Sequence, residues 1–326
     1  MKRREFIVLG SAAVAWPLVA RAQVAAMPVV GFIHPASQAT TTNLVAAFRK
    51  GLSEGGFVDG GNVTIEFRWG EGQYDRLPAL AGDLVQRQVS VIVANGGDPS
   101  VLAAKAATST IPIVFNTGSD PVKLGLVASL ARPGGNITGI GQLTAALAVK
   151  QLELLRELIP KISVVGLLSN PANPAAERRA EELQRFARTI GIELPLVDAV
   201  HEGDLDGAFA RLVELRADAF LIVGDSLLFS RRDRIVALAA RHRLPAIYSR
   251  REFTEIGGLM SYGANIAESY RLSGIATGQL LKGAKPADLP VEQSTKIEFV
   301  INARTARALD LTMPRIILAR ADEVIE

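Results

Sequence analysis

From residue 28 onward, short apolar runs alternate along the chain with longer amphipathic segments. Residues 89–94 and 111–115 are almost entirely apolar, which is typical of strands covered on both faces. Residues 63–69 instead alternate apolar and polar side chains, as a half-exposed edge strand does. Residues 42–54 repeat their apolar positions at helical spacing. The pattern predicts βαβ units and therefore an α/β fold with parallel sheets covered by helices.

This rhythm occurs twice, which predicts two similar doubly wound parallel-sheet lobes. We expect one lobe to comprise residues 28–143 plus 258–290, and the other to comprise residues 144–257 plus 291–326. In this assignment each lobe is completed by one strand-helix unit from the last part of the chain. The chain would then pass between the lobes three times and form a three-crossover hinge.

The first 22 residues have the three parts of a secretory signal peptide. A basic start with Arg3 and Arg4 precedes an apolar run over residues 7–20, and Ala20-Arg21-Ala22 is a small-x-small cleavage site. The apolar run is too short for a spanning helix, which needs about 20 residues. The paired arginines before Phe6 also fit the twin-arginine export route. We therefore expect a cleavable signal peptide at residues 1–22 and a periplasmic mature protein.

The net charge of +3 comes from this leader. Four of the 36 basic residues and one of the 33 acidic residues lie in the first 22 positions, so 32 of each sign remain in the mature chain. A protein that follows a phosphate backbone needs an excess of basic charge. We expect no nucleic-acid partner, and we interpret the arginine pairs such as Arg178-Arg179 as solvated helix faces.

The sequence lacks the residues that several classes of enzyme and metal site require. The chain has no cysteine and only three scattered histidines, His34, His201 and His242, so neither a thiol nucleophile nor a zinc site is predicted. Metalloprotease, P-loop and nucleophile-elbow motifs are absent from the sequence. We predict that the protein is not an enzyme and that it holds no metal or cofactor.

Small polar residues follow the predicted strands, where open parallel sheets bind ligands beyond the carboxyl ends of their strands. Their N–H groups suit a carboxylate at a helix N-terminus, and their aspartates suit an ammonium group. The same residue types also cap helices, and that alternative stays open. Two tyrosines near the predicted hinge join the candidates, because their hydroxyls would need a polar partner at a strand end. The candidate ligand-binding residues are His34, Ser37, Asn95, Gly97, Asp98, Ser100, Asn116, Thr117, Asp120, Asn170, Asn173, Asp225, Ser226, Tyr248 and Tyr262.

Four strings of the sequence resemble the ABC transporter substrate-binding protein family, in the branch that binds tryptophan or tyrosine. They are NVTIEFRWGEGQYDRLPALAGDLV, IPIVFNTGSDPVKLGLVASLARPGGNITGI, RRDRIVALAARHRLPAIYSRREFTEIGGLMSYG and LARADEVIE. The resemblance covers residues 28–326 and implies a type I periplasmic binding protein, in which two α/β lobes close over the ligand.

The resemblance also implies roles for individual positions. The carboxylate of an amino acid would lie at the turn from Gly97 to Ser100 or at Asn116 and Thr117, and Asp225 would face the ammonium group. The string NGGDPS departs from the more Ser/Thr-rich turn of relatives, because Asp98 would oppose a carboxylate there.

These observations together predict a periplasmic receptor that delivers a small ligand to an ABC transporter membrane permease. We expect this receptor to be a monomer. The resemblance alone implies that the ligand is an aromatic amino acid or a related small amphipathic metabolite. A periplasmic sensor that passes ligand occupancy to a chemoreceptor or kinase remains the alternative. A transcription regulator on the same fold would need a DNA-binding head of some 60 residues before the first strand, and strand one begins at Val29 behind the leader.

Overall fold

The structure is a computed structural model that describes residues 27–142 and 144–326, so the predicted signal peptide lies outside the described residues. The strands of the described residues are β1 (Val29–His34), β2 (Thr64–Trp69), β3 (Val91–Ala94), β4 (Ile113–Thr117), β5 (Ile137–Gly141), β6 (Val165–Ser169), β7 (Leu196–Asp198), β8 (Ala219–Ile222), β9 (Ala246–Tyr248), β10 (Met260–Ala264), β11 (Glu292–Gln293), β12 (Ile297–Asn302) and β13 (Glu323–Ile325). The helices are α1 (Thr42–Glu54), α2 (Leu77–Gln86), α3 (Asp98–Ala107), α4 (Thr144–Leu158), α5 (Ala176–Thr189), α6 (Asp204–Glu214), α7 (Ser226–Ser230), α8 (Arg232–Arg241), α9 (Arg251–Glu255), α10 (Ile266–Leu281), α11 (Ala303–Ala308) and α12 (Arg315–Leu318).

The strands form two sheets, one in each lobe. The first sheet has the order β11-β5-β4-β3-β1-β2, with every neighbouring pair parallel. The second has the order β13-β12-β10-β9-β8-β6-β7 and is parallel except where β12 runs antiparallel to β10. Central strands such as β3, β4 and β6 are buried along their whole length because helices cover both faces. The predicted fold of two similar α/β lobes with parallel sheets is confirmed.

The chain crosses between the lobes three times, after β5, after β10 and after β11. The first two crossings share one design, in which a strand ends in one lobe and the helix that follows it packs in the other. Helix α4 packs against α5, β9 and β10 of the second lobe, and α10 packs against α1, β3 and β4 of the first. The carboxyl ends of both strands therefore lie at the hinge.

The structure differs from the predicted lobe boundaries in two places. The sequence pattern predicts residues 258–290 as one strand-helix unit of the first lobe, but β10 lies in the second sheet and only α10 packs in the first lobe. The pattern predicts residues 291–326 in the second lobe, but β11 pairs with β5 in the first sheet. Local periodicity predicts a strand and a helix without showing that a hinge separates them.

Helices α1 and α10 form the closest helix pair of the first lobe. A Cβ atom on Gly51 would lie 1.8 Å from the carbonyl oxygen of Arg271, and one on Gly274 would lie 2.2 Å from that of Phe48. The two backbones can approach this closely because glycine has no side chain at either position. This contact fixes α10, whose first turn begins at the hinge, on the first lobe.

Candidate functional site

A cavity of about 420 Å³ lies between the lobes at the carboxyl ends of both sheets. The first lobe contributes residues 96–98 after β3 and 118–120 after β4. The second contributes α4, α5 and the segments that follow β8 and β9. The volume falls in the range of small-molecule pockets. A molecule in this cavity would touch both lobes at once.

Much of the cavity wall is apolar. Helices α4 and α5 and strand β8 supply aliphatic side chains, and Phe229 and Phe253 supply aromatic rings. The aliphatic wall residues are Ala146, Leu147, Ala148, Val149, Leu183, Leu221, Ile222, Val223, Ala264 and Ile266. A wall of this kind buries an apolar group, while a few polar groups fix its orientation.

Asp225 is the N-cap of α7 and forms the polar centre of the second-lobe wall. Its Oδ1 accepts hydrogen bonds from the N–H groups of Leu227 and Leu228 at 2.9 and 3.0 Å. Asn170 and Asn173 donate their side-chain amides to its two oxygens at 3.3 and 2.9 Å. These contacts hold the carboxylate in one orientation. Within the described residues no base forms an ion pair with it.

Arg250 follows β9 and supplies a positive charge to the same cavity. Its guanidinium carbon lies 3.9 Å from the ring centroid of Phe229, which is close enough for a cation–π interaction. Its Nη1 is buried and has no hydrogen-bond partner in the described structure. The carboxylate of Asp225 and the guanidinium of Arg250 thus share the cavity without an ion pair to any described residue.

Asp98 behaves differently because the opposite lobe neutralises it. Arg179 of α5 donates to the Oδ2 atom of Asp98 at 3.0 Å and to the hydroxyl of Ser119 at 3.0 Å. Ser119 donates to Oδ2 at 2.5 Å, and the Thr117 hydroxyl donates to Oδ1. The side chain of Asp98 is fully buried and that of Arg179 is 16% exposed. The acid at the start of α3 is thus already part of an ion pair across the cleft.

Two further hydrogen bonds join the lobes beside the cavity. The hydroxyl of Tyr74 in the first lobe donates to Oδ2 of Asp225 at 2.6 Å. Burial and the neighbouring Asp225 carboxylate raise the pKa of Tyr74 well above its usual value, so the phenol stays protonated. The Ser226 hydroxyl donates to the carbonyl of Gly96 at 2.6 Å. With direct contacts from both sides, the molecule is in a closed arrangement.

The structure places six of the fifteen candidate residues on the cavity wall, namely Gly97, Asp98, Asp120, Asn173, Asp225 and Ser226. The other nine do not line it: His34, Ser37, Asn95, Ser100, Asn116, Thr117, Asn170, Tyr248 and Tyr262. Thr117 and Asn170 nevertheless support the wall, because they hold Asp98 and Asp225. Asp120 bonds the N–H groups of Val122 and Lys123, which is the capping role left open above.

The prediction that the hydroxyls of Tyr248 and Tyr262 have polar partners at a strand end was wrong. Tyr248 is buried in the second-lobe core and stacks on Phe253 with ring centroids 4.4 Å apart. Its hydroxyl has no hydrogen-bond partner in the described structure, and burial raises its pKa. Tyr262 packs edge-on against Phe299. Stacking on neighbouring rings, rather than a polar contact, determines where these two side chains lie.

His34 belongs to a buried network behind the cavity. The N–H of Ala36 donates to its Nδ1 at 3.0 Å, so the proton lies on Nε2, which donates to the Tyr270 hydroxyl at 2.9 Å. Burial, and secondarily the charge of Arg250, lower its pKa to about 3. The ring is therefore neutral at ordinary pH.

Sequence reasoning missed Arg250, Phe229, Tyr74 and Arg179. Arg250 comes just after the apolar run of β9, the same kind of position as the other candidates, but a charged side chain there does not by itself indicate a ligand site. The interpretation of Arg178-Arg179 as a solvated helix face was wrong for Arg179, which is largely buried against the other lobe. Only tertiary contacts distinguish this arginine from its exposed neighbours on α5.

Residues 27–142 and 144–326 contain no cluster of three or more histidine, aspartate or glutamate side chains that could hold a metal ion. They contain no helix that is both long and apolar enough to cross a membrane.

Comparison with known proteins identifies the family. Residues 29–325 match the family described as ABC transporter substrate binding protein. The tyrosine-binding protein of Clostridioides difficile (strain R20291) is 28% identical over 264 residues, which cover 81% of this chain and 75% of the relative.

Two crystal structures are similar over nearly the whole chain. A conserved domain protein from Vibrio cholerae O1 biovar El Tor has a TM-score of 0.84, with 25% identity over 91% of this chain and 99% of the other. An ABC domain from Streptococcus pneumoniae in complex with L-Trp has a TM-score of 0.82, with the same identity and coverage. The chain therefore belongs to the ABC transporter substrate-binding protein family, a family of ligand-binding transport proteins rather than enzymes.

Proposed function

We propose that this chain is the periplasmic receptor of an ABC importer and that its ligand is an aromatic amino acid. The observation that carries the proposal is the cavity between the lobes, which combines an apolar wall with the carboxylate of Asp225 and the guanidinium of Arg250, neither of which forms an ion pair in the described structure. An amino acid with a large apolar side chain carries one charge of each sign and matches this set. The similarity to a tyrosine-binding protein and to an L-Trp complex supports the same ligand class.

In this proposal the ammonium group of the ligand lies near Asp225. Four protein N–H donors and the Tyr74 hydroxyl already surround its two oxygens, so the carboxylate is held rigidly before the ligand arrives. A base within the protein would compete with the ligand for this charge, but the described residues place none beside it. The aromatic side chain would then lie against the aliphatic wall of α4 and β8 and against Phe253.

The mechanism is closure rather than catalysis. The ligand favours the closed form because it contacts both lobes, and the permease distinguishes the closed form from the open one. Export by the leader at residues 1–22 would bring the protein to the periplasm, where it would act as a monomer without a nucleic-acid partner. The balanced charge of residues 23–326 supports the last point.

A thermal-shift panel tests this function. The mature protein would be unfolded and refolded to remove carried-over ligand, then scanned with the twenty amino acids, aromatic acids and sugars. A ligand at 100 times its Kd adds about 2.7 kcal/mol to stability. We expect L-Trp, L-Tyr or L-Phe to raise the melting temperature by several degrees. A shift with sugars alone would overturn the proposed ligand.

The variant Asp225→Asn tests the role of the acid, with Asp206→Asn as its control. Asp206 is half exposed on α6 and pairs with Arg234 at the surface. We expect Asp225→Asn to weaken amino-acid binding and Asp206→Asn to leave it unchanged. Equal binding by both variants would remove Asp225 from the site.

A further inference from the structure

Arg250 is a cationic side chain of the cavity wall that no acidic residue of the described structure neutralises. It stands at the end of β9, next to the hinge, with its guanidinium carbon 3.9 Å from the centre of the Phe229 ring. Arg232 lies over the same ring at 5.0 Å but does not line the cavity. Phe229 thus holds two arginines, of which one lines the cavity.

The guanidinium of Arg250 lacks the partners that a buried cation requires. Its Nη1 is inaccessible to solvent and unbonded in the described structure. A buried charge is costly unless it is paired and hydrogen-bonded. An aromatic ring offsets part of that cost but accepts no hydrogen bond in the plane of the guanidinium, where the N–H groups point.

The groups around Arg250 do not supply the missing anion. Arg250 is close enough to His34 and Tyr270 for its positive charge to lower the pKa of both groups. His34 is nevertheless neutral at ordinary pH, because its pKa is about 3. Burial raises the pKa of Tyr270, so this phenol is neutral as well. Among the acids of the cavity wall, Asp98 is paired with Arg179, and Asp120 caps its own loop. Glu182 and Asp225 also line the cavity, and neither forms an ion pair with Arg250 in the described structure.

The alternative carboxylate position, at the start of α3, is occupied. Asp98 is the first residue of that helix, and it places its own carboxylate among the hydroxyls of Thr117 and Ser119 and the guanidinium of Arg179. A ligand carboxylate at this turn would meet that charge. Lys123 and Arg178 also line the cavity, but both side chains are exposed to solvent. Among the cations of the described cavity wall, Arg250 is therefore the one with a buried nitrogen that lacks a partner, and it lies on the second lobe.

We infer that Arg250 binds the carboxylate of the ligand and restricts this receptor to ligands that carry one. The inference rests on the proposed function and assigns the ligand carboxylate to the segment after β9 in the second lobe, instead of to the first-lobe turns. Planar guanidinium and carboxylate groups match in a bidentate geometry, which an ammonium group cannot reproduce. Phe229 acts as a positioning residue that holds the guanidinium flat.

Calorimetric titration of the full mature protein with matched ligands tests this role. L-Trp carries both charges, tryptamine lacks the carboxylate, and indole-3-propionate lacks the ammonium group. We expect Arg250→Met to weaken L-Trp and indole-3-propionate about 100-fold, the effect of losing a buried charge-assisted contact. The affinity for tryptamine should stay the same. Arg232→Met, which removes the other arginine on Phe229, should leave all three affinities unchanged.

Two further measurements separate binding from folding. Arg250→Lys keeps the charge without the planar fork, so it should weaken L-Trp by about tenfold and leave tryptamine unchanged. The ligand-free Arg250→Met variant should unfold at a temperature no lower than the ligand-free wild type, because an unpaired buried cation is removed. A structural arginine would show the opposite result.

The outcomes distinguish this inference from the proposed function. If the wild type binds indole-3-propionate or another aromatic acid but no amino acid, and Arg250→Met abolishes that binding, Arg250 keeps its role and the amino-acid ligand is wrong. If L-Trp or L-Tyr binds equally well to wild type, Arg250→Met and Arg250→Lys, the receptor function stands and the role of Arg250 is wrong. Failure of every carboxylate to bind the wild type also overturns the inference.

Discussion

Arg179 of the second lobe lies 3.0 Å from Asp98 of the first lobe and joins the two lobes across the cleft. The guanidinium also donates to the carbonyl of Gly224 at 2.9 Å, which holds it on its own lobe. The carboxylate of Asp98 is fully buried in this arrangement. Removing one partner of a buried pair leaves the other charge desolvated and uncompensated, which costs several kcal/mol. The pair therefore contributes to the closed form without occupying the place of a ligand.

Replacing Arg179 with glutamine should weaken ligand binding although the ligand does not need this side chain. The closed form loses about 2 kcal/mol, so we expect the affinity for L-Trp to fall between 10-fold and 100-fold. Calorimetric titration measures the change. In the double variant Arg179→Gln/Asp98→Asn the loss should be smaller than the sum of the two single losses, because the residues form one interaction.

Arg185 provides the control for this experiment. It lies on the same helix and pairs with Glu181 at 3.9 Å, but its side chain is 60% exposed. Exposed pairs of this kind contribute about 0–1 kcal/mol. Arg185→Gln should bind L-Trp as the wild type does. Strict additivity in the double variant would show that Arg179 and Asp98 act separately.

The hydrogen bond from Tyr74 to Asp225 gives a second, independent test of closure. Tyr74→Phe removes only the hydroxyl, and the lost bond is to a charged group, which is worth about 1.5–3 kcal/mol. We expect the affinity for L-Trp to fall by about tenfold or more. The pKa of Tyr74 is raised, so the wild-type contact should persist as the pH rises to 10. An affinity unchanged by Tyr74→Phe would show that this contact does not favour closure.

The two-lobe fold could be predicted because a strand that is buried on both faces is apolar along its whole length. The apolar sequence of β4 therefore indicates a strand covered by helices, whichever strands lie beside it. The hinge could not be predicted in the same way. The segment from Met260 to Leu281 reads as one strand and one helix, and nothing in its periodicity shows that Asn265 begins a helix in the other lobe.

Site residues could be predicted where their position after a strand is enough to place them at the cleft. They were missed where their role depends on contacts with residues distant in the sequence. Asp225 and Asn173 follow strands of a parallel sheet, and their position alone puts them at the cleft. Arg250 also follows a strand, but its role depends on the ring of Phe229, twenty-one residues earlier in the chain. Arg179 could be recognised only from the acid that it meets in the other lobe.

The glycine contact between α1 and α10 makes a prediction about stability. A methyl group on Gly274 would lie 2.2 Å from the Phe48 carbonyl oxygen and 2.5 Å from the Leu52 nitrogen, so the helices must separate. We expect Gly274→Ala to lower the free energy of unfolding by about 3 kcal/mol. Urea unfolding followed by circular dichroism measures it.

Gly82 in α2 is the matched control because a Cβ atom there would meet nothing within 4 Å. Alanine favours a helix over glycine by about 0.5–1 kcal/mol. Gly82→Ala should therefore leave stability unchanged or raise it slightly. Similar losses in the two variants would mean that helix packing does not explain the requirement for Gly274.

The low pKa of His34 predicts a pH dependence of stability. The ring is neutral in the folded protein down to about pH 3 and becomes protonated near pH 6.5 when the chain unfolds. The unfolded state then binds one more proton, so acid favours unfolding. Stability that is present above pH 6.5 should be lost as the pH falls from 6.5 towards 3, at about 1.4 kcal/mol per pH unit from this residue.

Urea unfolding at pH 7.0, 6.0 and 5.0 tests this dependence, with His34→Gln and His201→Gln compared with the wild type. His34→Gln should be less stable at pH 7.0, since it loses the contact with Tyr270, and its stability should fall less steeply with acid. His201 is exposed, and its replacement should keep the wild-type slope. His34→Gln is the variant in this comparison that removes a proton-binding site from the buried network behind the cavity. If the stability of His34→Gln fell with acid as steeply as that of the wild type, the acid sensitivity would arise from other residues.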